Sequence, residues 1–297
     1  MTESHSSQQN EVELSGTVGQ PQPVADPEGG RYNLRSVTRA LRLLNALATA
    51  GEEGLSLTEA SRQVEASKSA TFSLLKTLLE YDYATSFDRG PRYRLGPAIV
   101  HLADGYSESL PWLRTALPIA RELTASTGWT SRIATHIDGH PVFQERVDAP
   151  GVLRFFTQLG IKELPHRSSA GKAILSQLPE AEVRRIVGAT GLPARTPNTI
   201  TDVEVLLREL RRSTTRGYAV DDEEDDEGIF CIASPVCDRN GAPIGAISIT
   251  GLKSTMPAWR VAEFGSRVLA AANQISVAIG GRPLLATTTG PTEGPPA

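Results

Sequence analysis

The sequence predicts an α+β protein, with an N-terminal winged helix-turn-helix followed by a domain built on an antiparallel sheet. Two observations carry this. Between Ser36 and Leu79 the apolar residues recur at three- and four-residue spacing in three runs, with only about three residues separating the second helix from the third. Beyond Gly128 the pattern becomes strand-like, and the strands fall into hairpins with helices grouped between them. A chain of 297 residues that is 39% apolar is long enough for two cores. The expected division is a disordered tail at 1–30, a winged helix-turn-helix at 31–97, a helical linker at 98–128, a second domain at 129–283 and a disordered tail at 284–297.

The elements follow in order. Val37, Ala40, Leu41, Leu44, Leu47 and Ala48 form the stripe of a first helix, which Gly51 and Gly54 end. Ser56-Leu57-Thr58-Glu59 has the form of a capping box, so a second helix begins there and runs to about Val64. Ser67 offers another N-cap, and Phe72, Leu75, Leu78 and Leu79 supply the buried stripe of a third. Tyr83 to Leu95 reads as a hairpin around Asp88-Arg89-Gly90, a wing with basic residues at its tip and on its return strand. A connecting helical region, 97–128, is interrupted by Pro111 and Pro118.

In the second domain, Trp129–Ile137 and Val142–Val147 form a hairpin around Asp138-Gly139-His140-Pro141, and Val152–Thr157 reads as a third strand. Helices are expected at about Ser169–Leu178, Glu180–Val187 and Asp202–Thr215. Strands Ile229–Cys237 and Pro243–Thr250 flank the turn Asp238-Arg239-Asn240-Gly241, and Pro257–Ile279 is a long closing helix.

Charge is distributed unevenly. Residues 1–30 carry five acids and no Lys or Arg, residues 31–100 have a net charge of +3, and the remainder has −2. The only basic third is therefore the one that reads as a winged helix. Lys68 and Ser69 stand at the open end of the third helix, and Arg89, Arg92 and Arg94 lie on the wing, where a phosphate backbone would want them. The candidate contacts to double-stranded DNA are Lys68, Ser69, Thr71, Phe72, Ser73, Lys76, Arg89, Arg92 and Arg94. One winged helix reads only a few base pairs, so a palindromic operator calls for at least a dimer.

No stretch approaches 18 unbroken apolar residues and the first residues lack the layout of a secretory signal, so no membrane association and a cytoplasmic location are expected. Cys231 and Cys237 fall on one proposed strand, which suits free thiols in a reducing compartment. The five histidines show no metal-ligand spacing, no cofactor motif is present, and SSAGKA lacks the leading Gly and the trailing Ser or Thr of a phosphate loop. A cysteine-dependent enzyme acting on a small molecule remains one alternative, and a dimeric adaptor that does not bind DNA another. The seven consecutive carboxylates from Asp221 to Glu227 lack the pattern of a calcium loop.

Taken together, SVTRALRLLNALA, KSATFSLLKTLLEYDYA, YRLGPAIVHLA, HRSSAGKAILSQLP and RGYAVDDEE…GIFCIASPVCDRNGAPIGAISITG resemble IclR-type bacterial transcriptional regulators from about Arg35 to Gly281. The resemblance implies a GAF-like effector domain that binds a small metabolite, a carboxylate above all, and a homodimer or dimer of dimers on the operator. It places a small anion at Ser169 and Ala170, with further contacts from Asp221, Cys231, Ser248 and Thr250. Helix N-termini favour anions, and Ser248 and Thr250, two apart on a strand, share a face. Ser73 and Ala70 stand where the family commonly has Arg and Thr. Thr250 stands where Ser is frequent, and Ser169 where Gly or another small residue is common. In the spacing of the family only Asp221 turns inward, and the carboxylates after it lie mostly on a solvated loop.

Overall fold

The structure is a computed structural model that describes residues 34–87, 91–150, 155 and 159–284. The chain separates into two compact units that divide between Ile119 and Ala120. The expected tail at 1–30, the residues of the second expected tail after Leu284 and the tip of the wing lie outside the described residues; Leu284 itself is hydrogen-bonded to Asn273. Among the described residues no helix is long and apolar enough to cross a membrane.

The first unit holds α1 (Arg35–Ala50), β1 (Leu55–Ser56), α2 (Leu57–Gln63), α3 (Lys68–Glu80), β2 (Ala84–Phe87), β3 (Arg92–Leu95), α4 (Ala98–Glu108) and the start of α5 (Trp112–Thr127). The capping box is formed: the Ser56 N–H donates to Glu59 at 2.7 Å, and the Glu59 N–H donates to the Ser56 hydroxyl at 3.3 Å. Ser67 caps α3 through the Ala70 N–H. The three strands pair in the order β1-β3-β2, all antiparallel. The core comprises Leu43, Leu47, Ala60, Val64, Leu75, Leu78, Ala84 and Tyr93. Phe72 is not in it. The buried stripe of α3 is Thr71, Leu75 and Leu78, spaced four and three, which turns Phe72 outward to 45% exposure. Pro111 falls in the break after α4, and Pro118 is carried inside α5.

The second unit holds the rest of α5, then β4 (Thr130–Ile137), β5 (His140–Val147), α6 (Ser169–Leu175), α7 (Glu180–Thr190), α8 (Val203–Arg216), β6 (Ala219–Asp222), β7 (Ile229–Cys237), β8 (Pro243–Leu252) and α9 (Ala258–Ala278). The sheet is antiparallel throughout, in the order β5-β4-β8-β7-β6. Sequence reading missed β6, a four-residue edge strand whose polar residues hide its alternation of buried Ala219 and Asp221 with half-buried Val220 and Asp222. Of the strand expected at Val152–Thr157 only Phe155 is described, and it is buried outside any strand.

The two faces of the sheet are covered differently. On one, Ala134, Ala219, Ala233 and Ala246 pack against Ala170, Ala173 and Ile174 of α6, so small side chains let the helix lie close. Gly171 serves the same approach, because a Cβ there would run into the Pro165 backbone. Behind α6, a second cluster of Leu175, Val183, Ile186, Leu206, Leu207 and Leu210 joins α7 and α8. On the other face, Trp129 meets Phe230 and Phe264 edge-on at 6.5 and 5.6 Å, seating α9.

Candidate functional site

Strand register builds the site. Thr130, Thr250, Cys231 and Asp221 face one another in a single row across β4, β8, β7 and β6. Arg132, Ser248, Ala233 and Ala219 form the next row on the same face. Three residues of the first row, Thr250, Cys231 and Asp221, with Arg132, form the floor of a cavity of about 40 Å³. Its walls are Phe155, Glu163, Ser168, Asp225, Asp226 and Ile229. Glu163 is set there by a segment running beside β5, where its N–H donates to Pro141 O at 3.0 Å.

Three of the six expected effector residues, Asp221, Cys231 and Thr250, line this cavity. Ser248 shares their face of the sheet, and Ser169 and Ala170 open α6, but none of these three lines the cavity. The Ser169 and Ser248 hydroxyls are buried without a hydrogen-bond partner. The residue of this segment that reaches the cavity is Ser168, whose hydroxyl accepts the Gly171 N–H at 3.1 Å and so caps the helix itself.

The acidic run is not a solvated loop. Glu224 is buried, Asp225 and Asp226 are partly covered, and Glu227 alone is exposed. Glu224, Asp225 and Asp226 each have a cation. The ammonium of Lys172, fully buried on α6, donates to Glu224. Arg167 stands 2.6 Å from Asp225, and Arg195 stands 2.7 Å from Asp226. Thr196 and Thr199 donate to the Glu223 and Glu224 carbonyls at 2.6 Å each. The result is a rigid corner that turns Asp221, Asp225 and Asp226 toward one space.

Burial governs the electrostatics. It pushes the Asp221 carboxyl up to about 7, with Lys172 opposing and Glu224 and Asp225 reinforcing the rise. It pushes Glu163 to about 7 as well, against the pull of Arg132. The Cys231 thiol is driven up to about 12, chiefly by burial and then by Asp221. Its sulfur lies 3.3 Å from the Thr250 hydroxyl and accepts from Arg132 at 3.4 Å. The Arg132 guanidinium also stacks over Phe143 at 4.5 Å. No group of three or more His, Cys, Asp or Glu among the described residues is placed to hold a metal ion.

In the first unit, Lys68, Ser69, Phe72, Ser73 and Lys76 lie on the exposed face of α3. Thr71 does not. It is fully buried and gives its hydroxyl to Ser67 O, so it belongs to the core. Arg94 is exposed and lies over the Phe87 ring at 4.9 Å. Arg92 is engaged internally: it donates to Glu53 O at 2.7 Å and Gly54 O at 2.8 Å and pairs with Glu59 at 3.4 Å. Arg89 lies outside the described residues.

Residues 36–86 match the IclR helix-turn-helix domain, and residues 105–277 match the bacterial transcriptional regulator IclR C-terminal domain. The chain belongs to the IclR family. It is a transcriptional regulator, with DNA-binding helices at the N-terminus and a ligand-binding domain after them. The HTH-type transcriptional repressor AllR of Escherichia coli K12 is 31% identical over 270 residues, which span 91% of this chain and 97% of that protein. Its counterpart in Salmonella typhi is 31% identical over 93% of this chain and 99% of that one. The crystal structure of the Thermotoga maritima IclR matches with a TM-score of 0.72 at 25% identity, over 84% of this chain and 100% of that one. An IclR homologue from Microbacterium hydrocarbonoxydans, complexed with 4-hydroxybenzoate, shares the fold at a TM-score of 0.69 and 19% identity, over 82% and 98%.

Seven cavity residues escaped sequence reading: Phe155, Ser168 and Ile229, and the four charged ones, Arg132, Glu163, Asp225 and Asp226. Arg132 carried a legible signal, a lone cation inside the otherwise uncharged strand TSRIATHI.

Proposed function

We propose that the protein is a cytoplasmic homodimer that docks α3 and the wing on a palindromic operator, and that a small molecule held in the Asp221–Cys231–Thr250 cavity changes its affinity for that DNA. The carrying observation is the cavity: ionisable side chains converge from three strands and two loops on a space walled by Phe155 and Ile229. Lys68, Ser69, Phe72, Ser73, Lys76 and Arg94 make up the DNA face, with Arg89 on the wing tip. Arg92 pins the wing to β1 and supports that face from behind. Self-association is supported by α4, which buries no residue within the chain and leaves Val100 70% exposed and Leu102 53% exposed.

The protein acts without catalysis. A thiol held at about 12 is protonated at every physiological pH, and Cys231 touches Thr250 and Arg132 but no histidine. The test is a mobility-shift titration against the protein's own upstream DNA, with light scattering on the same samples. A retarded complex with a dimer mass is expected. No shift on any upstream fragment, or a monomer mass both free and with DNA, refutes the proposal.

A further inference from the structure

We infer that Phe72 reads DNA sequence by laying its ring against the 5-methyl group of a thymine in the major groove, so that the operator carries an A·T pair where α3 enters. This deepens the reading of α3 as the DNA face and rests on it. Phe72 is 45% exposed and takes no part in the core of its unit. A single exposed phenyl is ordinary, and its setting is what points to DNA. It stands four residues after Lys68 and four before Lys76, so a cation lies one helical turn to either side. The hydroxyls on this face are folded back onto the helix, Ser73 donating to Ser69 O and Thr77 to Ser73 O, each at 3.1 Å. Phe72 and the two lysines are its long side chains, and the one acid of the helix, Glu80, is its last residue.

In the major groove an A·T pair is recognised at its adenine, by a two-pronged contact from Asn or Gln, or at its thymine, by an apolar contact with the methyl group. Helix α3 contains no Asn, Gln or Arg. The first route is therefore closed to this helix, and Phe72 is the exposed side chain suited to the second. A recognition helix meets base edges with its N-terminal residues, and Phe72 is the fifth residue of α3. Ring and methyl remove each other from water, while Lys68 and Lys76 are left for phosphates on either side. Those lysines tell against an apolar protein seat, since the centre of a protein interface is poor in lysine.

The full chain is titrated by fluorescence anisotropy against the shortest duplex from its own upstream DNA that it retards, and against duplexes in which deoxyuridine replaces one thymine at a time. Only the methyl group is lost. At one or more positions the parent should bind about fourfold more weakly, a factor that corresponds to about 0.8 kcal/mol for one buried methyl-sized group. Phe72→Ala should bind the unmodified duplex more weakly and lose the sensitivity to those replacements, whereas Phe72→Leu, still apolar, should keep most of it. Thermal melts and light scattering of both variants should match the parent, because the ring lies outside the core. A parent indifferent to every replacement refutes the inference and leaves DNA docking by α3 standing. A sensitivity that Phe72→Ala retains in full also overturns it, because the effect then belongs to the shape of the duplex. A lowered melt or a smaller mass for Phe72→Ala would assign the ring to the fold or to contact between copies, and overturn it too. A chain that retards no upstream fragment refutes both the inference and the reading beneath it.

Discussion

Replacing Asp221 by Asn should stabilise the unliganded sheet domain at pH 8. The folded carboxyl titrates at about 7 against an ordinary value of 3.8, so the folded state holds a proton that the open chain has released. Stability therefore falls as pH rises from about 4 to about 7, and the loss is complete above that window. A difference of this size amounts to about 4 kcal/mol at 1.36 kcal/mol per pH unit. Coupling to Lys172 and Glu224 spreads part of it over neighbours, so a gain on the order of 2–4 kcal/mol is expected. Asparagine keeps an oxygen for the Glu224 N–H and removes only the charge. Urea unfolding followed by tryptophan fluorescence at pH 5, 6, 7 and 8 reads this directly, with Trp129 buried beside the same sheet. The reasoning is refuted if the variant is less stable than the parent at pH 8, or if the parent's loss of stability across the window persists in the variant.

Lys68→Ala should weaken binding to all DNA sequences alike and lower the salt slope by about one, measured by fluorescence anisotropy over a salt series. Arg92→Ala should instead lower the stability of the winged unit by about 1–3 kcal/mol in thermal melts, through two lost carbonyl contacts and the Glu59 pair, with the salt slope little changed. Gly171→Ala should destabilise the sheet domain by about 1–3 kcal/mol, read in urea unfolding, because the added Cβ meets Pro165 backbone and pushes α6 off the alanine rows. Iodoacetamide should alkylate Cys231 in the folded protein at pH 8 far more slowly than in urea; equal rates, followed by mass spectrometry, would contradict its protonated, buried state.

Much of the fold was written in local pattern. The capping box at Ser56 and Glu59, the cap at Ser67 and the strands around Gly139 and Gly241 are all satisfied by residues within a few positions of one another, so sequence spacing reveals them. The corner that shapes the cavity is of another kind. Glu224 meets a lysine 52 positions earlier, and Asp226 meets an arginine 31 positions earlier. Without those partners in view, seven acids in a row read as a solvated loop. The same distance hid Arg132, which reaches a sulfur 99 positions away. Thr71 and Phe72 exchanged places because both fit a helical period, and only the packing of α3 on α1 and α2 decides which of the two is covered.

The edge strand β6 has a consequence beyond the cavity. It ends the sheet with four residues, and its outer row of N–H and C=O groups would be a template for another chain's strand if it ran longer and bare. Asp222 and the acidic corner that follows it place negative charge along that border, and Asn198 donates to the Asp222 carbonyl at 3.1 Å, taking up one of its backbone acceptors. An Asp222→Val change, which removes the side chain paired with Lys253 at this edge, is expected to leave the fold intact and to raise strand-to-strand association at high concentration, read by light scattering.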